Sequence, residues 1–300
     1  MSRWKASAIH LLISLLIGLG LFALFYWVWY PGPLFSASGG ERLILLIIGV
    51  DLIVGPLLTL IVFKSGKASL RFDLSCIAII QVALLLYGVW TAFSARPAYI
   101  VYATDRFVVV PANGLEDADL ADAQPPYQTR PMWGPQMVSL RMPSDQAELM
   151  KLIESALAGK DAELYPKYYQ PLSDKSELIL ARAHSLYLLN KDLPADVQGQ
   201  LDEFLREHQH LAFFPTVARS RSVTALVNME DGSVVGFLDF DPWSRVSKPD
   251  APVAPATSED DLIRALGGNQ NALPAAPSES TDAPTDPEPV DSDSEDESSQ

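Results

Sequence analysis

Asp51 is the one acid inside an otherwise apolar stretch, Leu43–Phe63, and that position makes a chemical demand. As a helix the stretch would place Asp51 eight residues in, about 12 Å from one end at 1.5 Å per residue. A carboxylate in hydrocarbon costs roughly 2.5–3.5 kcal/mol on insertion scales, so it requires a partner or a proton. No Lys or Arg lies within the apolar runs to neutralise it. Gln81, in a later run, is within reach of a tilted neighbour, and Thr59 or the backbone offers a further hydrogen bond. Gly55-Pro56 follows one turn after Asp51. Proline removes a helical hydrogen bond and kinks the segment, which frees a carbonyl and shapes a concave surface. Asp51, Gly55, Pro56, Thr59 and Gln81 therefore form a candidate contact site. It either holds the helices of this chain together or receives another protein's membrane helix.

Other reactive patterns are weak. The chain has no GxSxG, HExxH, Walker loop or CxxC, and Gly18-Leu19-Gly20 falls inside an apolar run where no dinucleotide loop could form. His208 and His210 would point to different faces of a helix, so they read as solvated residues near its C-terminus. Asp239 and Asp241 could share a strand face and hold a cation, but they are better placed to flank a turn. No metal, cofactor or catalytic residue is expected. Trp133 and Trp243 read as core or groove anchors and as candidate contacts of the soluble part.

The elements that would carry the Asp51 site are three apolar runs: Ile9–Tyr30, Leu43–Phe63 and Leu74–Phe93, of 22, 21 and 20 residues. Each would form a helix of about 30 Å, the thickness of a bilayer's hydrocarbon core. Arg3 and Lys5 precede the first, and Lys64, Lys67 and Arg71 lie between the second and third. Excess basic residues stay cytoplasmic, so the amino terminus and the 64–73 loop should face inward and everything beyond Phe93 should lie outside. Tyr26, Trp27, Trp29 and Tyr30, with Tyr87, Trp90 and Phe93, would form the outer aromatic belt. Ser36-Ala37-Ser38 offers a small-x-small cleavage pattern. The first run, however, exceeds the about 7–15 apolar residues usual for a signal sequence, so it reads as a retained helix. Ser14 and Gly18, four apart, and Gly88 suit close helix packing.

Bulk composition reflects two opposed parts. Formal net charge is −15 and 48% of residues are hydrophobic, yet mean hydropathy is only +0.12. From Pro249 onward eight prolines and thirteen acids accompany a single base, Arg264, so this end cannot bury enough surface to fold alone. At most Glu259–Leu266 would form a transient turn or two. The acidity, without any basic patch, argues against nucleic acid as a partner. Cys76 is the single cysteine and lies in the third run. An outer domain without thiols suits an oxidising compartment.

Between membrane and tail lie about 150 residues, enough for a real core. Tyr99–Val101, Phe107–Val110 and Gln136–Arg141 read as strands, and Gly114–Pro131 as a loop. Ser144 should cap a helix carrying Leu149, Leu152, Ile153 and Ala156. Ser173 should cap a second, through Leu178, Ile179, Ala181, Leu186 and Leu189. Asp192-Leu193-Pro194 should open a third, through Val197, Leu201, Phe204 and Leu205. Val223–Val227 and Val234–Phe240 flank Asp231-Gly232, a strong hairpin signal. The predicted fold class is a three-helix transmembrane bundle followed by an α+β periplasmic domain and a disordered acidic C-terminal tail. The divisions are 1–95, 96–246 and 247–300.

The order of several short patterns resembles a known family. Tyr30-Pro31-Gly32-Pro33-Leu34 closes the first run, Gly49-Val50-Asp51 through Gly55-Pro56-Leu57-Leu58-Thr59 lies in the second, and Arg71-Phe72-Asp73-Leu74 opens the third. Arg96-Pro97, Asp105-Arg106-Phe107 and Asp241-Pro242-Trp243 follow. Over about residues 1–246 this is similar to the TfpX/TfpZ type IV pilin accessory proteins. The resemblance implies a multi-pass protein of the bacterial inner membrane whose partners are the lipid bilayer and a cognate type IV pilin. It implies assistance in pilin assembly, stability or delivery, and no catalytic residues. The alternative is a membrane-anchored periplasmic enzyme or envelope sensor, which would require a polar pocket in the outer domain. No oligomeric state follows from the sequence.

Overall fold

A stretch of apolar residues in hydrocarbon must satisfy its backbone internally, which leaves the helix as the local solution. The computed structural model describes residues 2–189 and 193–246. The acidic tail expected over 247–300, the turn at Glu259–Leu266 and the helix start at Asp192 lie outside the described residues. Among the described residues three helices are long and apolar enough to cross a membrane: Arg3–Trp29, Gly40–Val62 and Leu70–Ala95, of 27, 23 and 26 residues. All extend beyond the apolar runs into polar flanks, because helical hydrogen bonding does not stop where hydropathy falls. The first begins as α1 (Arg3–Leu24), capped by Ser2, whose Oγ accepts from the Lys5 amide at 3.3 Å. It ends in a π-helical turn over Phe25–Trp29. A short α2 (Leu34–Ala37) leads into α3 (Gly40–Val62), and α4 (Leu70–Ala95) follows. Helix α3 packs against both α1 and α4, which make little contact with each other. Gly18 and Gly88 permit this packing. A Cβ on Gly18 would lie 3.2 Å from Ile48 Cγ2, and one on Gly88 only 2.7 Å from Ile47 Cγ1.

The remainder is α+β. In chain order it runs β1 (Pro97–Tyr102), β2 (Phe107–Pro111), α5 (Asp117–Ala121), β3 (Gln136–Leu140), α6 (Gln146–Leu157), β4 (Tyr169–Pro171), α7 (Ser176–Arg182) and β5 (His184–Ser185). Then come α8 (Leu186–Leu189), α9 (Ala195–Glu207), β6 (Leu211–Val217), β7 (Ser222–Asn228), β8 (Val234–Leu238) and α10 (Trp243–Val246). The strands join one mixed sheet in the order β4-β3-β1-β2-β6-β7-β8, with β5 on β6. β1 and β2 form a hairpin in which Tyr102 faces Phe107, while β1/β3 and β2/β6 are parallel. Alternate residues of β1 serve opposite faces. Tyr99 and Val101 pack with Leu120, Leu152 and Tyr169, whereas Ile100 and Tyr102 pack with Phe214, Ile179 and Val223. A sheet covered on both faces explains why every residue of β1 and all but the last of β6 are buried.

Several details differ from the sequence reading. The supposed loop 114–131 contains α5, where Asp117 and Asp119 favour the N-terminal dipole and Leu120 is buried. Asp145, not Ser144, caps α6: its Oδ1 accepts from the Glu148 amide at 2.8 Å. Leu152 is buried there, but Ile153 is exposed, so the apolar stripe is narrower than expected. The single helix expected through Leu189 is broken, because His184 and Ser185 pair with Phe213 and Ala212 of β6. Strands β4, β5 and β6 were not foreseen.

Residues 30–39, which precede α3 in sequence, bind the helices to the domain. Leu34 and Ala37 are fully buried in the same apolar cluster as Ile100, Phe107 and Phe214. The Ser220 amide donates to the Ala37 carbonyl at 2.8 Å, and Tyr30 Oη donates to the Ala92 carbonyl at 2.8 Å. Buried Arg96 donates to the Phe93 carbonyl at 2.5 Å, at the end of α4, and through Nη2 to the Pro131 carbonyl at 2.6 Å.

Candidate functional site

Three polar side chains of α1 recur at helical spacing: Ser7, His10 and Ser14. On α3 the corresponding series is Asp51, Gly55, Pro56 and Thr59. Spacings of three and four put each set on one face. The structure brings the two faces together with Gln81 of α4. Ser7 Oγ donates to the Pro56 carbonyl at 2.9 Å, and His10 Nδ1 lies 2.7 Å from Thr59 Oγ1. Gln81 Nε2 donates to Asp51 Oδ1 at 3.3 Å. Gly55 is the point of closest approach. A Cβ there would lie 1.9 Å from Gln81 Nε2 and 2.9 Å from His10 Nε2, so only glycine leaves room for both side chains.

Thr59 bonds to His10, not Asp51. Eight residues of helix separate Asp51 from Thr59 by about 12 Å, beyond hydrogen-bond reach. Gln81 Oε1 is buried and has no hydrogen-bond partner. An unmet acceptor in an apolar surrounding is costly, and it marks where a donor from outside the cluster would be stabilising. The cluster opens on a groove of about 520 Å³ between α1 and α4. Its walls include Ile13, Ser14, Asp51, Ile77, Gln81 and Val82. Ser14 is buried, as is Gly18 one turn on, so this small-residue pair serves packing within the bundle.

The two tryptophans lie apart from this cluster. Trp133 is 80% exposed and so is no core residue. It borders a hollow with Trp27, Val28, Pro31 and Phe237, beside the end of the first membrane-length helix. Gly134 holds the turn next to it with φ +88°, 3.1 Å from the Val28 carbonyl as measured from a built Cβ. Trp243 is half-buried and donates from Nε1 to Ser222 Oγ at 3.1 Å. Nearby Asp239 pairs with Arg221 at 2.6 Å, and Asp241 accepts from the Trp243 amide at 3.0 Å. Asp239 is thus engaged in an ion pair and Asp241 in a local turn. Among the described residues no group of three His, Cys, Asp or Glu could hold a metal.

Ser7 and His10 were missed as members of the cluster. Their signal was the shared face with Ser14, readable from spacing.

In the α+β domain, burial pushes the hydroxyls of Tyr99 and Tyr102 up to about 12. Lys167 is raised to about 12, chiefly by its hydrogen bond to Glu148, whose own carboxyl is held low by that bond. These shifts accompany packing and surface pairing.

The chain matches, over residues 1–39, the family model described as Fimbrial assembly protein FimB. That stretch carries Ser7, His10, Ser14 and α2. "Fimbrial assembly protein, serogroup I" of Dichelobacter nodosus is 30% identical over 234 residues, covering 75% of this chain and 90% of that protein. "Fimbrial assembly protein, serogroup E1" of the same organism is 29% identical over 232 residues, with the same coverage of each. A third, "Fimbrial assembly protein, serogroups C1 and C2", is 38% identical over 108 residues, 35% of this chain and 82% of that one. No solved structure matches.

Proposed function

The chain belongs to the fimbrial assembly protein family, and from that premise we propose that it is an inner-membrane accessory factor for a type IV pilin. The proposal includes the finer TfpX/TfpZ likeness, a cytoplasmic amino terminus and a periplasmic α+β domain. The basic residues at 3–5 and 64–71 support that orientation.

The protein acts without catalysis. Its groove between α1 and α4 receives the apolar amino-terminal helix of a pilin waiting in the bilayer, and its outer domain, through Trp133 and Trp243, contacts the pilin head. The observation that carries this reading is the buried, unpartnered Gln81 Oε1 beside Asp51, lining a groove of about 520 Å³. Lipid chains cannot donate a hydrogen bond to it, and a polar group on an incoming helix can. Pilins resemble one another in bearing one acid near the start of that helix. Two carboxylates side by side would repel, and an ionised acid cannot donate to Gln81 Oε1, so the incoming acid meets His10 or the Gln81 amide while a hydroxyl or amide of the same helix donates to Oε1.

The test is photocrosslinking in cells that make the native pilin. Probes at Ile13 and Val82 stand on the groove walls; a probe at Ile53, 66% exposed, stands away from them. We expect pilin adducts from Ile13 and Val82, none from Ile53, and loss of the adducts with Gln81→Leu at normal protein level. Adducts from Trp243 alone would move recognition to the outer domain. Normal piliation in a strain lacking the protein would sink the assembly role itself.

A further inference from the structure

Where α3 and α4 meet the domain, a cavity of about 470 Å³ is lined by Ser38, Arg42, Trp90, Asn113 and Arg219 among others. Along the seam of the same two helices runs an apolar groove of about 310 Å³, with Leu46, Val50, Val54 and Leu84 in its walls. Leu43, Tyr87 and Thr91 line both, so polar cavity and apolar groove form one path.

Among the described residues the lining of the polar end includes two arginines and no carboxylate. Arg42 and Arg219 are exposed, and among the described residues neither forms an ion pair. Arg219 makes one long contact, donating to Asn113 Oδ1 at 3.5 Å. Glu41 and Arg42 both border a second hollow with Phe22 and Phe35, but Glu41 does not line the polar cavity and forms no ion pair with Arg42 among the described residues. Ser38 is 7% exposed and its hydroxyl has no partner. Guanidinium groups present paired N–H donors that match phosphate oxygens, and Trp and Tyr rings settle at headgroup depth. Two arginines above an apolar channel suit an amphipathic anion whose headgroup brings no cation of its own.

We propose that this path binds one anionic phospholipid, its phosphate held by Arg42 and Arg219 and one acyl chain lying along the α3/α4 seam. The chain would pack beside Asp51 and Gln81 on the side away from α1, since both residues border this groove as well as the one between α1 and α4. The lipid would thus support the α3/α4 pairing and leave the α1 side open.

The full-length protein in detergent, followed by native mass spectrometry, tests this with three probes: phosphatidylglycerol, phosphatidylcholine and inorganic phosphate. We expect one phosphatidylglycerol retained in preference to phosphatidylcholine. Arg42→Gln/Arg219→Gln should weaken retention by about fivefold for each guanidinium lost. Arg141→Gln/Arg206→Gln removes the same charge from exposed sites elsewhere on the domain and should retain the lipid as well as the unaltered protein. Val50→Trp, which fills the groove and keeps both arginines, should also weaken it. Equal retention of the two lipids, or phosphatidylglycerol retention unmoved by the Arg42/Arg219 pair, overturns the proposal. Inorganic phosphate raising the melting temperature as much as phosphatidylglycerol does would overturn the assignment to a lipid.

Discussion

Gly55 is the residue on which the polar cluster depends, because Gln81 and His10 occupy the volume that any side chain there would need. Gly55→Ala places a methyl within 1.9 Å of Gln81 Nε2, so the amide must swing off Asp51 or α4 must shift. Overpacking of this kind costs about 1–3 kcal/mol. We expect Gly55→Ala to lower the melting temperature of the detergent-solubilised protein, and Gly55→Ala/Gln81→Ala to recover part of the loss by removing the clash. An unchanged melting temperature in the single variant would show that the approach is looser than 1.9 Å implies. The proximity of Asp51 and Gln81 was legible because an acid among apolar residues requires a polar neighbour, and few were on offer. His10 and Ser7 were less visible. They stand near the charged start of α1, where polar residues need no special reason, and only the spacing 7, 10, 14 marks them as a face.

At the scale of elements, α2 is four residues long and lies between two membrane-length helices, yet Leu34 and Ala37 belong to the sheet's core while Phe35 packs against the helices. Leu34 is fully buried against that core, so Leu34→Ala should cost the α+β domain about 2–5 kcal/mol as a cavity is left behind. Thermal unfolding of the full-length protein, followed by protease susceptibility of the domain, reads this. A domain as resistant as before would mean that α2 merely rests on the sheet. Nothing in its sequence announces the role, since burial of a short loop helix is set by tertiary contacts. Strand β6 was hidden for a different reason. Pro215 interrupts Leu211–Val217 and argues against a central strand. The structure tolerates it because one edge of β6 pairs with β5 at Ala212 and Phe213 and with β2 at Thr216 and Val217, and Pro215 falls between those ladders. The α7–α8 break likewise reflects β5 pairing overriding helical periodicity. The β7/β8 hairpin was legible because Asp231-Gly232 specifies it locally, and Gly232 has φ +75°.

For the whole molecule, we expect the domain's stability to depend on acidity through His184, a residue with no motif around it to single it out. His184 of β5 packs its ring against Phe213, with centroids 5.4 Å apart, and against Phe214. Burial lowers its affinity for a proton, and Asp105 opposes that shift less strongly. The folded state therefore holds His184 neutral at pH values where the unfolded chain, titrating near about 6.5, is already protonated. The unfolded state binds more protons in that window, so the stabilisation is complete above about pH 6.5 and is lost as pH falls through it towards the lower folded value. Because β5 docks on the central strand β6, the loss should register as destabilisation of the domain as a unit. Chemical denaturation of the full-length protein at pH 7.5, 6.5 and 5.5 should show a falling midpoint. In His184→Gln, which carries no proton equilibrium at that position, the fall should be shallower. Parallel pH profiles for the two proteins would assign the acid sensitivity to other groups and remove His184 from the account. A shallower profile would instead tie β5 to the cooperative unit, which is the condition for α2 and the membrane helices to be held by one sheet rather than by a loosely attached layer.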